Sequence, residues 1–268
     1  MRAGLLLCVL LAPWCARGAE LRFVRDGKEI SRLDLATLRA RCGLATIDVR
    51  DPYYEAEKHF SACPLRAVFA LGFGAADIPA DRDVIFRALD GYAKPAAPER
   101  VLEDGGYLAV GMAGHEGFDP LGGAGIDPGP FYLVWTKPAQ RDTHAYPWPY
   151  QLVEIEVTDL TTRYPHIVPR DVAPADAAWR GFVTFRHECV SCHAINREGG
   201  TVGPDLNVPQ SIVEYRPVAQ IKAYIRDPHE FRLSTMPAHP HLSDADLDAL
   251  IAYFDCMKTH KHDQPPAP

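Results

Sequence analysis

Basic charge is scarce in this sequence. Its 268 residues carry 28 Lys and Arg against 35 Asp and Glu, a formal net charge of −7. A protein that tracks nucleic-acid phosphates needs a basic face to displace counterions, so that class of partner is excluded. Long apolar runs are missing as well, and no stretch approaches the ~20 residues of a membrane-spanning helix. The sequence also lacks the composition bias of a disordered or collagenous chain. With 47% apolar and 24% charged residues it fits an ordinary globular protein. At roughly 100–200 residues per domain its length predicts two domains.

Cysteine is present in an odd number, seven. Two of these, Cys8 and Cys15, lie in a leader-like start: Met1-Arg2, an apolar stretch from Leu5 to Ala12, then small residues at Ala16, Gly18 and Ala19. This pattern predicts a secretory signal peptide over 1–19 and export to the periplasm, with no transmembrane segment left in the mature chain. Cys42, Cys63, Cys189, Cys192 and Cys256 then remain, in an oxidising compartment where spare thiols are paired or buried.

The C-terminal third holds the most specific motif. Cys189-Val190-Ser191-Cys192-His193 is C-x-x-C-H, the spacing of haem attachment. Two thiols three positions apart on one helical turn reach both vinyl groups of a haem, and the adjacent imidazole then faces the iron. Zinc would want a second pair of ligands, and none follows at the usual spacing. A thioredoxin-like pair would want a βαβ context, whereas Ala177 to Phe185 reads as an amphipathic helix with Trp179, Phe182 and Phe185 recurring at helical spacing. Gly203-Pro204-Asp205-Leu206 comes next, then a helical stretch from Val218 to Ile225, then Met236-Pro237. The closing stretch, Leu242 to Phe254, opens on Ser243 as an N-cap and carries Leu247, Leu250, Ile251 and Phe254 on one helical face.

In this order, residues 175–260 resemble class I c-type cytochromes. The resemblance implies an all-α cytochrome c domain at 176–260 and one covalent haem c. It makes Cys189 and Cys192 the thioether anchors, His193 the proximal ligand and Met236 the distal one, with the carbonyl of Pro204 orienting the His193 ring. A His/Met pair raises the reduction potential, and an iron with six ligands has no open position, so the implied chemistry is electron transfer. Met257, His229, His239, His241, His260 and His262 are the rival distal ligands, with His239 and His241 nearest to Met236. Arg226 and Arg232 are placed either to meet the haem propionates or to serve the surface, the 218–225 helix is expected to supply core, and 261–268 reads as a flexible tail.

Residues 20–160 predict a sheet-dominated α+β domain, joined by a Pro-containing linker at 161–175 to make a multidomain chain. Strands are expected at Leu21–Val24, Thr46–Val49, Val84–Phe86, Tyr107–Val110, Phe131–Trp135 and Tyr150–Val157, the last alternating as a half-buried strand does. Helices are expected at Ile30–Ala40 and Pro64–Leu71. The stretch Pro64 to Gly72, Asp90-Gly91-Tyr92, Gly129 to Trp135 and Trp148 to Leu152 together resemble the molybdopterin-binding domain of the sulfite-oxidase type. In that family a cysteine near the first core strand holds the metal. By this resemblance the strand Thr46–Val49 takes that place and has none, so the reading is a related fold without molybdopterin. Cys42 and Cys63 suit a disulfide, the alternative being a metal ligand beside His59. Cys256 is expected to be a buried small hydrophobe, and His115 and His144 to lie on the surface.

Three functions compete. The first is a periplasmic electron carrier working between redox proteins such as a dehydrogenase and an oxidase, with the N-terminal domain used for docking or structure. The second is an enzyme whose N-terminal domain binds a molybdopterin-type cofactor, oxidises a small substrate and feeds the haem. The third is a haem sensor, which needs a labile distal ligand. The missing strand cysteine favours the first over the second.

Overall fold

The computed structural model describes residues 19–123, 125–143 and 145–264. The expected signal peptide, all but its last residue, and His144 lie outside them. Strands β1 (Glu20–Arg25) and β2 (Lys28–Asp34) form an antiparallel hairpin. Its turn, Asp26-Gly27, is left-handed at both residues, φ 49° and 76°, which is why an Asp-Gly pair sits there. The helix expected from Ile30 therefore starts later. The ladder to β1 and a bond from Ser31 Oγ to Gly72 O (2.6 Å) hold the chain extended to Asp34. Only there does the Asp34 carboxylate accept the Thr37 N–H and cap α1 (Leu35–Arg41).

Strands β3 (Ala45–Asp51) and β4 (Ala56–Pro64) pair next, and α2 (Leu65–Phe73) follows directly from Pro64. Near its start β4 carries Glu57, Lys58 and His59, too polar a run to read as a strand. Helix α2 packs against β1 so tightly that a Cβ on Gly72 would stand 2.1 Å from the Phe23 ring. Cys42 and Cys63 are disulfide-bonded, tying the end of α1 to the end of β4. His59 instead pairs with Asp48 on the surface (2.5 Å).

The chain continues through β5 (Asp83–Ala88), β6 (Ala93–Ala96), α3 (Pro98–Val101), β7 (Gly106–Met112), β8 (Tyr132–Trp135) and β9 (Leu152–Thr158). Two sheets result, ordered β2-β1-β9-β5-β6 and β3-β4-β7-β8, with a core between them built on Phe23, Phe60, Phe69, Phe86, Tyr132 and Trp135. β9 is not the half-buried strand its alternation predicts. It lies at the centre of the first sheet and is covered on both faces, so Glu154 and Glu156 are buried too. They are tolerated because each is paired: Glu154 with Arg22 (2.7 Å) and Arg87 (2.8 Å), Glu156 with Arg87 (2.8 Å) and Arg163 (3.1 Å).

The C-terminal region is helical. It comprises α4 (Leu160–Arg163), α5 (Ala177–Glu188), the two-residue strands β10 (Ala194–Ile195) and β11 (Glu198–Gly199), α6 (Ile212–Tyr215), α7 (Val218–Arg226) and α8 (Asp244–Met257). Helices α5 and α8 cross where Gly181 meets Ala249, and a Cβ at 181 would be 1.9 Å from the Ala249 carbonyl oxygen. Their core of Phe182, Phe185, Leu247, Leu250 and Phe254 also takes in Ile85 and Ala93 from the first sheet. The segment between the two regions is packed down, with Tyr164 and Ile167 buried in that core and Tyr253 Oη donating to Ile167 O (2.7 Å). The start of the expected tail is also held: Lys261 pairs with Glu214 (2.6 Å), Asp263 with Arg197 (2.5 Å), and His262 stacks on His166 at 3.7 Å. Among the described residues no helix is long and apolar enough to cross a membrane.

Candidate haem-binding site

Helix α5 ends in a tight turn that gathers the C-x-x-C-H residues. Phe185 O accepts the amides of Cys189 and Val190, and Cys189 O accepts those of Cys192 and His193, all at 2.9–3.1 Å. The return path is equally close. Gly203 lies against the His193 ring, where a Cβ would stand 2.3 Å from a ring carbon. This proximity leaves room for the neighbouring Pro204 O, which accepts from His193 Nδ1 at 2.8 Å. A nitrogen bonded to a carbonyl carries the proton, so Nε2 holds the lone pair and is the atom left free to bind a metal. Burial pushes the His193 pKa down and keeps the ring neutral, the form that binds a metal.

Cys189, Cys192, His193 and Met236 line one cavity of about 550 Å³. Its walls are apolar, with Leu206, Ile212, Ile221, Ile225 and Phe254, and its mouth carries Arg216 and Arg232. Ile221 and Ile225, read from sequence as core, are thus wall as well. Arg226 turns away and pairs with Asp244. Arg216 was not legible, since it follows a one-turn helix with no motif around it. Met236 is half-buried on the loop before α8, its amide donating to Ser234 Oγ (3.1 Å). His239 is buried at the cavity's edge and His241 is exposed. Met257 is buried in the core and His229, His260 and His262 lie elsewhere, so none of these lines the cavity. Cys256, expected to be buried, is only half so.

The donor set suits a covalently held haem. Burial pushes the Cys189 thiol up to about 12 and the Cys192 thiol upward, the carboxylate of Asp90 adding to the latter. A zinc or dithiol redox site depends on thiolates, and this environment disfavours them. The walls match a flat apolar ring, and the two arginines match carboxylates at its edge.

The sheet region braces this site. Ala93 N donates to Ser191 O (2.8 Å) and Thr201 N to Gly91 O (3.0 Å), so the β5–β6 connection is bonded both to the C-x-x-C-H loop and to the stretch that leads on to Gly203. Lys94 Nζ reaches His187 O (3.4 Å). The sheet region also buries Asp51, whose carboxylate accepts from Tyr53 N (2.8 Å), Tyr54 N (2.9 Å) and Tyr132 Oη (2.9 Å).

Comparison with known proteins bears on the same segment. Residues 176–254 match the family model described as cytochrome c oxidase, cbb3-type, subunit III. Over 78 residues the chain is 33% identical to cytochrome c oxidase subunit 2 of Alkalihalophilus pseudofirmus, which covers 27% of this chain and 23% of that protein. Over 67 residues it is 42% identical to lupanine 17-hydroxylase [cytochrome c] of a Pseudomonas species, covering 25% of this chain and 9% of that protein. The chain therefore spans under a quarter of the length of the curated relatives it matches. The C-terminal part of the chain, residues 176–254, is a cytochrome c domain.

Proposed function

We propose that the protein is an exported carrier of single electrons with one covalent haem c, held through Cys189 and Cys192 and ligated by His193 and Met236. The observation that carries this reading is that these four side chains line one apolar cavity, with His193 Nδ1 already committed to Pro204 O. When bound, the haem would supply a one-electron couple, and ligation by the His193 imidazole and the Met236 thioether would favour its reduced form. The chain's own part is to hold the two ligands rigidly, exclude water with Leu206, Ile221, Ile225 and Phe254, and offer Arg216 and Arg232 to the propionates.

The sheet region is read as a second, sulfite-oxidase-like domain that positions the cytochrome domain and helps dock a periplasmic dehydrogenase or oxidase. The charge balance supports that division. Residues 175–268 hold nine Lys and Arg against twelve Asp and Glu, so the cytochrome part has no basic surplus to steer a partner by itself.

Met236→Ala is expected to keep the haem attached while lowering its reduction potential and admitting exogenous ligands, read by redox titration and absorption spectra. Unchanged spectra would remove Met236 as the ligand. Metal and pterin analysis of the same preparation is expected to find iron at one per chain and no molybdenum. Stoichiometric molybdenum with pterin would replace the carrier by an enzyme whose sheet region oxidises a small substrate.

A further inference from the structure

On the wall of the haem cavity, which Glu188 and His239 both line, these two side chains converge with that of His241. Glu188 is the last residue of α5, immediately before Cys189, and His239 and His241 lie on the loop between Met236 and α8. One atom of each, a Glu188 carboxylate oxygen and a ring nitrogen of each histidine, all lie within 4.8 Å of one another. Glu188 Oε2 is 3.5 Å from His239 Nδ1 and 3.3 Å from His241 Nε2. With metal–ligand bonds of ~2.1 Å, neighbouring ligands of a tetrahedral ion stand ~3.4 Å apart, so the two carboxylate–imidazole separations are those of a coordination shell.

A second observation comes from His239 itself. It is 6% exposed, and its Nδ1 is enclosed and makes no hydrogen bond. At 3.5 Å from the carboxylate it is beyond the 2.7–3.2 Å of a good N–H···O bond. A buried nitrogen left in this way is unfavourable unless something else takes its lone pair. An ion between the three groups would do so.

We propose that Glu188, His239 and His241 bind a divalent transition-metal ion of the zinc type. Two imidazoles and one carboxylate are the donors such an ion prefers, and three protein ligands leave its fourth position to water. Calcium and magnesium prefer oxygen shells and are excluded by the two histidines. The ion would clip the loop that carries Met236 to the end of the helix that carries the C-x-x-C-H motif. Its positive charge at the cavity's edge would also favour the reduced haem, so occupancy raises the reduction potential.

The test uses the full-length haem-loaded protein, stripped of loose metal with a chelator and titrated with Zn²⁺ by calorimetry. One saturable zinc per chain is expected, with no binding of Mg²⁺ or Ca²⁺ under the same conditions. His241→Ala removes an exposed ligand without touching the core, and Glu188→Gln removes the charge. Each is expected to weaken zinc binding by at least ~10-fold, the scale on which even an outer-shell partner counts. The redox titration should shift upward with zinc in the unaltered protein and stay still in His241→Ala. Absence of saturable binding, or binding as tight in His241→Ala as without it, overturns the site. So does binding lost only in a His260→Ala/His262→Ala variant, which would assign the zinc to the terminal histidines. The potential arm rests on the haem reading given above and the calorimetric arm does not, so the two fail separately.

Discussion

Asp51 is the most telling single residue outside the cytochrome part. Burial pushes its carboxyl above the ordinary value of 3.8, against the opposing pull of the Tyr54 and Tyr53 amides, the Tyr132 hydroxyl and the Lys58 charge. The folded chain therefore keeps this proton at a pH where the unfolded chain has lost it. The stabilisation is complete below the unfolded value and is lost as pH rises through the raised folded one. Asp51→Asn keeps an acceptor for the two amides and cannot titrate. Denaturation of the variant across pH is expected to lack that part of the decline which begins at about pH 4, and a profile identical to the unaltered protein's would contradict the raised carboxyl. At this scale the sequence was readable wherever chemistry is contiguous. Cys189, Cys192 and His193 announce themselves because five adjacent residues carry the whole motif. Asp51 did not, because its surroundings come from Tyr132, 81 positions away. Glu188 stayed silent for the same reason, since its histidine neighbours approach only after the chain folds back from α7 to α8.

Helix packing gives the sharpest prediction about elements. Gly181 lets α5 and α8 cross at backbone contact, and the clash that any side chain would make is with a carbonyl oxygen of α8 itself, which has no rotamer to change. Gly181→Ala is expected to force the helices apart at a cost of ~1–3 kcal/mol, seen as a lower urea midpoint with the haem still bound. An unchanged midpoint would mean that the crossing is looser than described. Helices with clear caps and spacing, α5 and α8 above all, were legible from sequence, because local propensity and tertiary packing agree there. β2 was misread as helix because the decisive interaction is its ladder to β1, and β4 was missed because its first turns of sequence are charged. The burial of β9 on both faces was hidden for a subtler reason. Its glutamates look like a solvent face until Arg22, Arg87 and Arg163 are seen to cover them.

Across the whole molecule, the disulfide between Cys42 and Cys63 joins positions 21 residues apart in a region that lends no side chain to the haem cavity. Replacing both by alanine is expected to cost about 3 kcal/mol of stability in the sheet region while leaving the haem spectrum as it was. Denaturant titration with and without a reductant checks this, since the unaltered protein under reduction should approach the double variant. A stability unaffected by either treatment would show that the bridge is not formed in solution. The division into a sheet-rich and a helical region was legible in composition and motif order, but their join was not. Ile85 reads as an ordinary strand residue and Ala93 carries no signal, yet both complete the core of the helical part. The turn that precedes Ala93 brings Asp90 close enough for its carboxylate to act on Cys192. Exchanging that one residue would therefore alter the charge beside the haem-attachment loop from outside it. The haem-binding segment itself would be inherited without a single change.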